Sequence, residues 1–318
     1  MHHWCPSIRA AVVALVAAGA TAQAQPAPNQ LNTSILAATA MPQAQSTPRQ
    51  PRSSNQDQDN AFWRFLRDGE WYFTWGYDKE FWAPSDVHVS QGPLGNNFTI
   101  YGVHGQDDPG INTDPFGPQY NIRVGRFIND DRTVAVELNF DHTKFTSNTG
   151  DSAHVVGTIG GVPVNGYFPL GNPFFSEQLH NGANHLMING VYRLPLIGQT
   201  NETLSVAAIA KAGVGIMLPH TTDTILGITN NVGPKSLGNS IGLTNGWWQL
   251  NGWTTGAEVG FRVVLYKPVY LEVTDKIAYA RLSDLPAYLG TMQQSLWMNE
   301  IVIGIGFTYD GASNAQRH

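Results

Sequence analysis

The chain has 318 residues, 42% of them hydrophobic and only 13% charged, with a formal net charge of −6. That charge content is about half the ~25% of an ordinary soluble domain, so water alone does not cover the surface, and the scattered Lys and Arg leave no basic footprint for nucleic acid. With 33 Gly, 19 Pro, 14 Phe, 11 Tyr and 9 Trp, the composition favours turns and strands over a helical bundle.

Residues 1–24 read as a secretory signal peptide: Arg9, an apolar run from Ala10 to Ala20, then the small-residue pattern Ala22-Gln23-Ala24. The run is too short to cross a bilayer as a helix, which takes ~20 residues. Cleavage removes Arg9 and Cys5, the single cysteine, so 17 of the 18 basic residues face 24 acidic ones at a net −7. No disulfide, thiolate metal site or cysteine nucleophile then remains. Residues 25–60, rich in Gln, Pro, Ala, Ser and Asn, predict a disordered periplasmic linker. In residues 61–69, Phe62, Trp63, Phe65 and Leu66 beside Arg64 and Arg67 predict a short segment at a membrane interface or packed on the domain that follows.

From residue 70 to 310 the pattern is apolar/polar alternation broken by turn residues. In Val134 to Asp141 one face is Val134, Val136, Leu138 and Phe140, and the other holds Glu137, Asn139 and Asp141. A soluble sandwich also alternates, but its strands average five to six residues and its polar face is rich in Lys and Glu. Here several segments run to 11 residues or more, and their polar faces carry Gly, Thr, Ser and Asn with isolated charges. The pattern predicts an all-β fold, a transmembrane up-and-down antiparallel β-barrel with the aliphatic and aromatic faces on lipid.

Short turns at 129–132, 195–201 and 266–268 alternate with long connections at 146–182 and 219–246, which predicts periplasmic turns and external loops respectively. Counting back from the C-terminal strand gives about ten strands: eight near 96–106, 117–128, 132–142, 183–195, 202–218, 247–265, 268–282 and 293–309, and a first hairpin of WYFTWGY with SDVHVS, followed by Gly92–Gly95 as the next inner turn. Eight strands, or twelve with HVVGTIGGVPVNGY added, are the other counts, although Pro163 speaks against twelve. Residues 311–318 form a tail.

At SDVHVSQGPLGNNFTIYGV, GPQYNIRVGRFIND, DHTKF, HNGANHLMING and GVGIMLPHTTDTI the chain resembles an uncharacterised family of Gram-negative outer-membrane β-barrel proteins, over roughly Trp71 to Tyr309. The resemblance implies the fold, the cell outer membrane and insertion by the barrel-assembly machinery, and it carries no catalytic residues. Barrels of this kind commonly finish on an aromatic residue read by that machinery, whereas here DGASNAQRH follows Tyr309.

Parity places Arg123, Glu137, Asp141, Arg193, Lys211, Glu258, Arg262, Glu272, Lys276 and Glu300 inside the bore, five acids and five bases. They read either as an ion network that plugs the barrel or as the lining of a constricted polar pore. The glycines of GVG and GIGIG fall on the inward face as space-makers. His88, His104, His142, His154, His180, His185 and His220 all fall in the outer half or the external loops, near Asp86, Asp107, Asp108, Asp141, Glu177 and Asp223.

Three functions are compatible with this pattern. One is a structural or binding barrel whose loops meet outer-membrane lipids and lipopolysaccharide. A second is a lipid A or phospholipid acyl hydrolase or transferase using Asp86, His88, His104, Asp141, His142 and His180 at the mouth. The third is a narrow small-solute channel. Neither a cofactor nor a metal is expected, because no His-x-His or His-x-x-x-His pair supplies ligand spacing on one element.

Overall fold

A computed structural model describes residues 69–108, 119–179, 182–199, 202–231, 241–242 and 247–310. The signal peptide, the linker, residues 61–68 and the tail lie outside the described residues. Among those described, no helix is long and apolar enough to cross a membrane.

Eight antiparallel strands close on themselves. They are Glu70–Trp82, Asn121–Phe127, Val134–Asp141, Ala183–Ile197, Ser205–Pro219, Gly252–Tyr266, Val269–Ala287 and Gly290–Asp310, in that order, each paired to the next. The first and last seal the ring in a 13-pair register running from Glu70↔Asp310 to Trp82↔Met298. Closure matters physically because every backbone N–H and C=O in the wall finds a partner and no strand edge is left in hydrocarbon. Eight is the lowest of the counts the sequence allows, and it gives an interior just wide enough for side chains to fill.

Two strands assigned to the wall from sequence, 85–91 and 96–103, lie outside the ring. Ala83-Pro84 looks like a reversal but is not one: the Ala83 amide donates to Trp297 O at 3.0 Å, and the chain runs on along the same neighbour, with Val87↔Gln294 and Ser90↔Thr291. The Gly92–Gly95 turn therefore lies beside Gly290, at the end of the sheet opposite the short turns 129–132 and 266–268, and is not an inner turn of the wall. From there the sheet continues through 96–103, 152–159 and 162–169. HVVGTIGGVPVNGY is thus a hairpin, and it belongs to this extension; Pro163 sits in the outermost strand, an edge position that tolerates proline.

The long connections fold into a second sheet, ordered 228–231, 222–225, 175–179, 145–147 and 105–106. It and the extension enclose an apolar core that includes Val87, Phe98, Phe145, Phe175, Leu179, Ile225, Leu282, Met292 and Leu296. A cap with its own hydrophobic centre therefore stands on the outer end of the barrel.

The strand 290–310 shows how one sequence serves both environments. Near its C-terminal end the outward residues are Ile301, Ile303, Ile305, Phe307 and Tyr309, each at least 42% exposed, while Glu300 and Thr308 are buried. Beyond Trp297 the faces exchange chemistry: Met298, Leu296 and Met292 are buried and Ser295 and Gln293 turn outward. Trp297 packs against Tyr279 at 5.0 Å, and Tyr279 against Trp253 at 5.4 Å, forming an aromatic girdle at the changeover. From Trp297 to Tyr309 the strand climbs roughly 28–32 Å at about 3.3 Å per residue and a 35–45° tilt, enough for the apolar band of an outer-membrane barrel. The closed wall with its greasy outside and polar inside makes the chain an integral outer-membrane β-barrel protein.

Candidate functional site

The bore is filled with paired charge in two storeys. In the lower one, Arg123 reaches Glu258 at 2.7 Å and Glu272 at 2.8 Å. Lys211 reaches Glu272 at 2.7 Å, Glu137 at 3.2 Å and Glu258 at 3.3 Å. Arg262 donates from both Nε and Nη2 to a single oxygen, Glu272 Oε2, at 2.8 and 2.6 Å. Three cations meet three carboxylates, so the storey is neutral, as burial demands.

Aromatic rings brace this storey. The Arg262 guanidinium lies 4.4 Å from the Tyr72 ring and 4.1 Å from that of Tyr270. Tyr72 donates to Glu137 at 2.8 Å. Glycine makes the room: a Cβ at Gly125 would sit 2.1 Å from the Tyr72 ring, and one at Gly306 would sit 2.4 Å from that of Tyr270. Nearer the periplasm Arg193 stacks on Phe127 at 3.8 Å and pairs with Glu70 at 3.2 Å.

The upper storey is acid-rich. Lys276 pairs with Asp141 at 2.8 Å and with Glu300. The Asn121 and Asn139 amides donate to Asp141 Oδ1. Asp78, Asp141 and Glu300 bring carboxylate oxygens within 4.8 Å of one another. Gln119 donates to Glu80 and to Asp107, both at 2.6 Å.

All eight residues assigned to the ion network, Arg123, Glu137, Lys211, Glu258, Arg262, Glu272, Lys276 and Glu300, are 3% exposed or less. Sequence reasoning missed Asp78, Glu80, Tyr72 and Tyr270. The signal for the first strand was present: in EWYFTWGYDKE the even positions Glu70, Tyr72, Thr74, Asp78 and Glu80 are all buried.

The residues assigned to an active mouth go to different places. Asp86 turns outward and accepts from the Gly102 amide at 2.9 Å. His88 stands on the same outer face, its Nδ1 3.1 Å from Thr99 Oγ1. His104 is exposed just beyond strand 96–103. Asp141 is inside the bore on Lys276. His142 lies at the base of the cap, stacked on Tyr120 at 5.0 Å with Nδ1 2.7 Å from Asn184 Oδ1. His180 lies outside the described residues.

The remaining histidines disperse too: His154 stacks between Tyr101 and Tyr167, His185 is in the bore, and His220 packs on Trp247 at 4.1 Å. Inside the cap, Glu177 and Asp223 face each other across strands 175–179 and 222–225. Burial pushes the Glu177 carboxyl up to about 8, with the Asp223 charge adding to the shift, and burial pushes Asp223 up to about 7.

No protein-family model and no curated protein match the sequence. Among solved structures the chain is similar to Ail, the attachment invasion locus protein of Yersinia pestis, at 12% identity and a TM-score of 0.29 over 76% of this chain and 99% of that one. It is also similar to OprG of Pseudomonas aeruginosa (12%, TM-score 0.30, 77% and 98%) and to the outer membrane protease OmpT of Escherichia coli (8%, TM-score 0.31, 76% and 97%). At scores this low the assignment of the barrel rests on the closure and polarity of its own wall.

Proposed function

We propose that the protein is a non-conducting membrane barrel that displays its cap at the cell surface as a structural and binding element, meeting the surrounding outer-membrane lipids and lipopolysaccharide after insertion by the barrel-assembly machinery. The observation that carries this reading is the filled bore. Arg123, Lys211, Glu258 and Glu272 are interlocked and buried at the level of the membrane, and the apolar core of the cap stands over them. A solute would have to break several buried ion pairs at once, each strongly unfavourable to separate. Side chains of an eight-stranded ring also leave little free bore.

Planar-bilayer recording of the purified protein tests the reading. No unitary conductance above background is expected; steps that persist after repurification would overturn it. A lipid-modifying activity would need the mouth residues to share one cavity, whereas Asp86 and His88 lie on the outer face of strand 85–91, Asp141 is on Lys276 in the bore and His142 is on Asn184 at the base of the cap.

A further inference from the structure

We infer that the upper storey of the bore is a binding site for a hard divalent cation of the calcium class, held by Asp78, Asp141 and Glu300. Charge and geometry both point there. The three carboxylates lie within 4.8 Å of one another and are wholly buried. Calcium binds oxygen at 2.3–2.6 Å, so two oxygens on one ion are separated by at most about 5 Å. Three carboxylates and the Lys276 ammonium that touches two of them sum to −2, which one divalent ion cancels.

The second observation is independent of the charge count. Neither oxygen of Asp78 receives a hydrogen bond among the described residues, although the side chain is 0% exposed and reaches into the cluster. Glu300 Oε1, Asn121 Oδ1 and Glu80 Oε1 are likewise buried acceptors without donors. A buried acceptor with no donor costs free energy that native structures normally avoid. The unmatched acceptors at the cluster are carboxylate and amide oxygens, the ligand chemistry a hard cation takes, and they stand beside two unmatched nitrogens, Arg123 Nη2 and His185 Nε2.

The remaining contacts act as supports. Lys276, Asn121 and Asn139 fix Asp141, and Gln119 fixes Glu80. Because all three carboxylates are wholly buried, the ion enters as the ring closes and thereafter stabilises it. This site is independent of what the cap binds.

The test uses full-length mature protein refolded from denaturant into lipopolysaccharide-free detergent micelles, with either calcium, magnesium or EDTA present. Protein refolded in calcium is expected to retain a single calcium ion per chain after dialysis and to melt several degrees above the EDTA-refolded sample. Asp78→Asn is expected to retain none and to melt at the same temperature in both. Glu300→Gln is the second variant should Asp78→Asn fail to fold. A wild-type protein that retains no calcium and melts identically with and without EDTA would overturn the site. Retention by both variants, or retention of magnesium in preference to calcium, would also overturn the assignment.

Discussion

Glu177 and Asp223 are the buried acids whose setting has the most direct consequence at the scale of single residues. Both lie in the cap, face to face, with carboxyls pushed up to about 8 and about 7 from ordinary values of 4.5 and 3.8. A carboxyl raised in the folded state favours its neutral form there, so its contribution to stability is complete at pH below the unfolded value and is lost as the pH rises through the folded one. The cap is accordingly expected to loosen between about pH 5 and pH 8, read by its susceptibility to protease, and Glu177→Gln is expected to flatten that dependence. Undiminished resistance of the wild type across the range would contradict the burial of the pair. Both acids could be put at the mouth from the sequence, but not as a facing pair. Glu177 lies in a stretch, PFFSEQLHNG, whose alternation is short, and its partner is 46 positions away, set by a strand pairing that local pattern does not specify.

Within one strand, the exchange of faces along 290–310 predicts opposite responses to the same substitution. Ile303 is 56% exposed in the middle of the apolar band, so Ile303→Arg should cost about 2–4 kcal/mol, as cations do near the midplane of such barrels. Gln293 shares the outward face beyond the girdle, bonded to Arg281 at 2.8 Å. Gln293→Arg should cost little, since exposed changes usually stay within about 0.5 kcal/mol. Urea unfolding in lipid vesicles measures both, and equal costs would mean that the band is not where the girdle puts it. Most wall strands were readable because period two survives along their whole length: Arg123, Glu137, Lys211 and Glu258 could be put inside from parity alone. The path from Trp82 to Gln91 was not readable. Ala-Pro reads as a turn locally, and the decision to continue along the same neighbour is made by pairing with 290–297, far away in sequence.

For the molecule as a whole, the ring is sealed by the pairing of 70–82 with 290–310 and with 121–127, so its closure does not depend on the extension sheet. Deleting residues 152–169, the two outermost strands, is expected to leave a barrel that still shows heat-dependent migration on gels. The cap of that variant should be cleaved readily, because Ala153 and Val155 leave its core. Loss of the folded gel form would show that the extension is needed to close the wall.

That arrangement also dictates an order of events. Leu282, Leu285, Met292, Leu296 and Met298, a large share of the greasy heart of the surface module, are borne by staves that pass through the bilayer. The module cannot complete its interior as a unit beforehand; it has to do so on the staves as they come together. Severed from its staves it would lose that part of its interior and keep only what its own two sheets contribute, so an excised version is expected to be far less stable than the anchored one.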